Sequence, residues 1–132
     1  MRRLAVAHTR RRVLIIEDDE ITALVLSEYL RAHGYEISLA RTGPEGIERF
    51  VSDEPDLALV DIQLPRKDGF QVCYEMRATA HGRKTPIMLM SAHQRNVDQA
   101  ELYVDAFLGD GFLMKPFDLD LLIQRVRELA GT

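Results

Sequence analysis

The sequence predicts an α/β fold, a doubly wound, five-stranded parallel sheet in the order 2-1-3-4-5. Short apolar runs alternate strictly with stretches of helical periodicity, giving five β/α units between residues 13 and 130. Strands that are apolar on both faces belong to parallel sheets covered by helices on both sides. Right-handed crossovers leave few topologies for such a chain, and 2-1-3-4-5 is the natural one. A length of 132 residues fits one domain with one ordinary core.

The elements follow in order. Val13-Leu14-Ile15-Ile16 is a β-branched run stopped by Glu17-Asp18-Asp19-Glu20, which reads as a buried strand. Residues 21–33 form a helix with Ile21, Leu24, Val25, Tyr29 and Leu30 expected on its inner side and Gly34 ending it. Glu36–Ala40 is the second strand. Thr42-Gly43-Pro44 opens a helix running to Ser52, with Ile47, Phe50 and Val51 facing inward and Pro44 in the first turn.

Leu57–Val60 is the third strand, ended by Asp61. The loop Leu64–Gly69 leads into a helix expected to reach Ala80. Ile87–Met90 is the fourth strand, ended by Ser91. A fourth helix is expected over 96–107. Phe112–Met114 is the fifth strand, ended by Lys115-Pro116, and Asp118 caps a last helix running to Ala130.

Composition narrows the function. A single Cys, Cys73, excludes an internal disulfide, a multi-cysteine metal site and a CxxC redox motif, and suits a reducing cytoplasm. Beside Val72 and Met76, Cys73 reads as a small core residue. No apolar run approaches the ~20 residues of a membrane span. Residues 1–12 hold five Arg and no acid, so a whole-chain net charge of −4 leaves −9 on the rest. The body is acidic, and nucleic-acid contact by it is not expected. Residues 1–12 read as a flexible basic arm and 13–130 as the folded domain.

The positions of the polar residues carry the functional signal. Glu17-Asp18, Asp61, Ser91 and Lys115 each follow a strand, so a parallel sheet brings them to one edge, where doubly wound folds place their sites. Three carboxylates there repel one another, which a hard divalent cation such as Mg²⁺ relieves. Asp19 is an alternative member of the acidic set. Glu17 and Asp18 are preferred because they directly follow the strand.

In VLIIEDDE (13–20), LVDIQLPRKDGF (59–70), MSA (90–92) and FLMKPF (112–117) the chain resembles a response regulator receiver domain, the phosphoacceptor of two-component signalling. Those domains have the flavodoxin-like (βα)5 receiver fold. The Asp-x-x-Leu-Pro-x-x-Asp-Gly pattern of 61–69 and the Lys-Pro after the last strand are specific. Spacings of 43 (18 to 61), 30 (61 to 91) and 24 (91 to 115) agree with the family.

The resemblance implies roles. Asp61 is the phosphoacceptor. Mg²⁺, or Mn²⁺ in its place, is held by Glu17, Asp18, Asp61 and the backbone carbonyl of Gln63. Ser91, the backbone of Ala92 and Lys115 bind the phosphoryl group. Pro116 sets a cis bond after Lys115. Ser91 and Phe112 form the switch, and Gln63 and His93 tune dephosphorylation. The implied partners are a sensor histidine kinase or histidine phosphotransfer protein, and a downstream protein on the face of the fourth helix, fifth strand and fifth helix. A monomer or a phosphorylation-dependent dimer is expected, with no membrane contact.

Some features depart from the family. The stretch from Ser91 to Lys115 is about two residues longer than its common pattern, and AFLGDGF (106–112) replaces its usual Gly-Ala-Asp-like turn. Tyr103, Phe107 and Leu108 read as core. Arg125 and Arg127 read as a solvated face, with Asp98, Asp105 or Asp110 of a neighbouring subunit as alternative partners.

Other classes fit less well. A phosphatase with an aspartate nucleophile needs a second acid two residues on, where Gln63 stands. A flavin carrier needs a phosphate loop where Glu17–Glu20 would repel phosphate. A phosphorylation-independent scaffold has no need of the intact Asp61, Ser91 and Lys115. With no effector after the last helix, either a stand-alone receiver or the receiver of a larger regulator is expected, and no turnover on an external substrate.

Overall fold

The structure, a computed structural model, describes residues 10–92 and 110–131. Strands β1 (Arg12–Ile16), β2 (Glu36–Ala40), β3 (Leu57–Asp61), β4 (Ile87–Ser91) and β5 (Gly111–Met114) form one parallel sheet. Their order is β2-β1-β3-β4-β5, as expected. Helices α1 (Glu20–Ala32), α2 (Gly43–Asp53), α3 (Gly69–Arg77) and α4 (Leu119–Ala130) cover it, and a 3₁₀ turn spans His81–Arg83. The helix expected over 96–107 lies outside the described residues, as do the arm over 1–9, His93 and Gly109.

The strands explain their own burial. Successive side chains point to opposite faces. Val13, Ile15, Leu57, Leu59, Met88, Met90 and Leu113 meet Leu26 and Leu30 of α1 and Leu122, Ile123 and Val126 of α4. Leu14, Ile16, Ala58, Val60, Ile87 and Leu89 face the other way, onto Phe50 of α2 and Val72, Cys73 and Met76 of α3. Each fully buried aliphatic side chain contributes about 1.5–3 kcal/mol. Cys73 is buried, as its neighbours implied.

Two helix faces correct the sequence reading. In α1 the buried residues are Ala23, Leu26, Ser27 and Leu30, while Ile21, Leu24 and Val25 are 73%, 55% and 46% exposed. Both sets have helical spacing. The structure selects the one containing small residues, Ala23 and Ser27, which let the helix approach the sheet. In α2 Phe50 is buried and Ile47 half-buried, but Val51 is exposed.

Helix α3 is also shorter than expected. It ends at Arg77, where the Thr79 hydroxyl donates to the Met76 carbonyl and accepts from the Gly82 N–H. The Arg77 guanidinium then holds the next turn, donating to the carbonyls of Gly82 (2.7 Å) and Thr85 (2.5 Å) and to Asp110 Oδ2 (2.5 Å). Asp110 Oδ2 also accepts the Ile87 N–H, and the Asp110 N–H donates to the Ile87 carbonyl. Asp110 is thus paired within its own chain. Arg125 lies 3.9 Å from Glu128 on its own helix.

Strand β1 begins at Arg12, one residue before Val13. The Arg12 N–H donates to Asp56 Oδ2 (2.8 Å), and its guanidinium donates to the Asp53 carbonyl (2.9 Å).

Candidate functional site

The carboxyl ends of the strands meet at one edge. Glu17 follows β1, continues the β1–β2 ladder through its N–H to the Ala40 carbonyl, and is fully buried. Asp61 ends β3 and Ser91 ends β4, both buried. Lys115 follows β5 and donates its main-chain N–H to the Ser91 carbonyl at 2.8 Å.

Local chemistry fixes the turns that carry these groups. Asp19 caps α1, accepting from the Thr22 N–H (2.8 Å) and hydroxyl (2.6 Å). Those two bonds hold the Asp19 carboxyl below its usual range. Asp19 is thus engaged as the cap of the helix, while Glu17 and Asp18 stand with Asp61 in the acidic cluster. After β3 the chain folds back so closely that a Cβ on Gly69 would lie 2.3 Å from the Asp61 carbonyl oxygen. The Gly69 N–H donates to the Ile62 carbonyl, and Asp68 caps α3. Only glycine fits that approach, which gives the Asp-Gly pair its structural reason.

Lys115 is the cation of the site. Its ammonium donates to Glu17 Oε1 and to Asp61 Oδ2, the latter at 3.0 Å. Asp61 Oδ1 accepts the Gln63 N–H at 2.9 Å. Burial pushes the Glu17 carboxyl up to about 7, aided by the Asp61 carboxyl beside it and opposed by Lys115. Burial alone would lower the Lys115 ammonium, but its bonds to the two carboxylates leave it raised.

One oxygen from each of Glu17, Asp18 and Asp61 lies within 4.8 Å of the others. This hard, all-oxygen, multiply negative set fits a cation such as Mg²⁺, which takes one or a few carboxylates and keeps several waters. Soft or borderline metals would favour nitrogen or sulfur ligands, and the cluster has none.

The remaining sequence-derived residues fall around this core. Phe112 on β5 is half-buried and packs against the Leu14–Leu89 face of the sheet. The Lys115–Pro116 bond is cis. Gln63 and Ala92 are exposed at the rim. His93 is outside the described residues.

Sequence reading missed one component. Arg41, in the turn after β2, donates from its guanidinium to the Asp18 main-chain carbonyl at 2.9 Å. A lone Arg beyond an edge strand carries no motif, so only the fold reveals the contact.

An open parallel sheet with an acidic cluster and a lysine at its carboxyl edge is the arrangement of a receiver-type fold, and comparison agrees. The family model "Response regulator receiver domain" matches residues 13–127. The chain belongs to the response regulator receiver domain family.

Response regulator MprA of Mycobacterium ulcerans is 36% identical over 118 residues, 89% of this chain and 49% of that protein. The chain thus spans about half the length of the curated relatives it matches. Among solved structures, the receiver domain of a sensor histidine kinase from Pseudomonas aeruginosa has magnesium in its active-site cleft. It superposes with a TM-score of 0.83 at 26% identity, covering 93% of this chain and 99% of that one. TrrA of Thermotoga maritima, solved in complex with Mg²⁺-BeF, gives 0.80 at 28% identity, covering 90% and 98%.

Proposed function

We propose that this chain is a phosphorylation switch in which Asp61 accepts a phosphoryl group from a sensor histidine kinase, a histidine phosphotransfer protein or a small phosphodonor. The supporting observation is the imbalance at the sheet edge, where one ammonium faces the carboxylates of Glu17, Asp18 and Asp61. A carboxylate oxygen of Asp61 attacks phosphorus. The phosphorus–nitrogen bond to the donor histidine breaks, and its electron pair returns to the imidazole. Such transfer needs positioning and charge neutralisation more than covalent help. Glu17, Asp18, Asp61 and the Gln63 carbonyl would hold Mg²⁺, or Mn²⁺ in its place, which supplies charge neutralisation at the phosphoryl oxygens.

Lys115 pairs with a phosphoryl oxygen after transfer, a fixed cation where charge accumulates. The Ser91 hydroxyl and the Ala92 N–H donate to the others. As Ser91 moves toward the phosphoryl group, Phe112 turns into the space it leaves. Phe112 has no hydroxyl to re-pair, so the turn carries no hydrogen-bond penalty. Gln63 and His93 set the access of hydrolytic water. The added charge selects between existing states of the face made by residues 96–107, β5 and α4, and a downstream protein reads that face.

The donor protein docks beside the pocket. Ile21, Val25, Pro116, Phe117 and Leu119 line a shallow cavity of about 280 Å³ that adjoins Lys115. A protein delivering a phosphohistidine to Asp61 must cover this rim, and the exposed apolar side chains of α1 suit that contact. The chain acts in the cytoplasm without turnover on an external substrate.

Intact mass after incubation with a small phosphodonor, with and without Mg²⁺ and beside Asp61→Asn, tests the reading. The expected result is one phosphoryl adduct that requires both Mg²⁺ and Asp61. No adduct on the folded wild type overturns it and favours a phosphorylation-independent scaffold.

A further inference from the structure

The acidic edge is held from a third side by a residue outside the pocket. Asp18 stands between Glu17, buried under Lys115, and Asp19, tied to Thr22 as the cap of α1. Both neighbours are anchored through their side chains. The Asp18 main-chain carbonyl is anchored by Arg41, whose guanidinium donates to it at 2.9 Å across the gap between the β1–α1 and β2–α2 turns.

Arg41 is itself fixed at its root. Its N–H donates to Glu45 Oε1 at 2.6 Å, and the Glu45 N–H donates to the hydroxyl of Thr42, which caps α2. The residue before it, Ala40, accepts the Glu17 N–H in the last rung of the β1–β2 ladder. The guanidinium is thus the far end of a strut whose near end cannot drift. Asp18 is exposed, and the peptide unit that follows it is gripped from two sides: Glu17 Oε2 accepts the Asp19 N–H at 3.1 Å from the pocket side, and Arg41 binds the Asp18 carbonyl from the outer side.

We propose that Arg41 is a positioning residue for the cation site, setting the Asp18 carboxylate for Mg²⁺ by holding its main chain. The inference rests on the reading of Glu17, Asp18 and Asp61 as Mg²⁺ ligands. Two effects of Arg41 oppose each other. Its positive charge near Asp18 disfavours a cation. Its bond to Asp18 removes the disorder that ligation would otherwise have to overcome. Charge and bond both sit at the exposed surface; water and salt screen the charge over its distance to the cation, whereas the bond acts directly on a ligand residue. Positioning therefore prevails, and loss of Arg41 weakens binding.

The test is calorimetric titration of Mg²⁺ into the wild type, Arg41→Ala and Arg41→Lys, with urea unfolding to show that all three are folded. Arg41→Ala is expected to raise the Mg²⁺ Kd about three- to tenfold, below the ~10–100-fold loss of a buried supporting partner. Arg41→Lys, which keeps a donor and a charge, is expected to recover part of it. Unchanged or tighter binding in Arg41→Ala overturns the positioning role, tighter binding marking Arg41 as an electrostatic competitor. Absence of Mg²⁺ binding in the wild type overturns instead the reading of the acidic cluster, and the inference falls with it.

Discussion

At the amino-terminal edge of the sheet, Arg77 donates to two carbonyls and to Asp110, and Asp110 accepts a main-chain N–H as well. Arg12 likewise lies between the Asp53 carbonyl and the carboxylates of Asp56 and Glu36. At the carboxyl-terminal edge, the single ammonium of Lys115 serves both Glu17 and Asp61, with Asp18 adding a third carboxylate. Among the described residues, the first edge is closed by guanidinium groups paired with carboxylates, and the second is left open, with one ammonium and the outlying Arg41 guanidinium beside three carboxylates. Burial drives Glu17 upward despite Lys115, as expected where Coulombic attraction does not repay desolvation. Ion pairs of similar length therefore differ in character, one fastening the fold and the other leaving an excess of carboxylates at the sheet edge.

The contrast can be broken most sharply at the closed edge. Arg77→Ala leaves the Gly82 and Thr85 carbonyls without that donor and Asp110 with the Ile87 N–H but no cation, and is expected to cost about 2–4 kcal/mol. Urea unfolding measures it, and a loss under about 1 kcal/mol would remove the claim that this edge is structural.

The open edge should respond in the opposite direction. With its carboxyl raised from 4.5 to about 7, Glu17 holds its proton more tightly in the folded state than in the unfolded chain. Its stabilising contribution is full below 4.5 and is lost as pH climbs toward about 7. Lys115, raised from 10.5, loses its own contribution only in more alkaline solution and leaves this window flat. Metal-free protein should therefore lose about 2–3 kcal/mol across the window. Glu17→Gln should abolish that slope and be the more stable protein at pH 8. A wild-type stability that rises with pH there would contradict the account. Smallest of all, Glu128→Gln on the exposed face of α4 should shift the urea-derived stability by less than about 0.5 kcal/mol. It calibrates what an ordinary surface pair contributes.

The sheet order and the strand positions were legible because buried parallel strands are written as uninterrupted apolar runs. The site edge was legible because four of the runs stop at a charge or a hydroxyl, Glu17, Asp61, Ser91 and Lys115. The inner face of α1 was legible only toward its end, where Tyr29 and Leu30 meet the core as expected; earlier, Ile21, Leu24 and Val25 offer a stripe as good as Ala23, Leu26 and Ser27, and periodicity cannot rank them. The end of α3 was hidden because the guanidinium and hydroxyl bonds that stop it join residues up to 33 positions apart. Arg41 escaped for the same reason, since its partner Asp18 is 23 positions away.

The clasp between Ile87 and Asp110 has a mechanical consequence. Strands β4 and β5 are joined there at one end, and through the Ser91 carbonyl and the Lys115 N–H at the other. The pair is pinned at both ends, so the spacing of Ser91 and Lys115 is set by main-chain bonds rather than by their side chains. The hydroxyl and the ammonium at the sheet edge can change partners without changing that spacing.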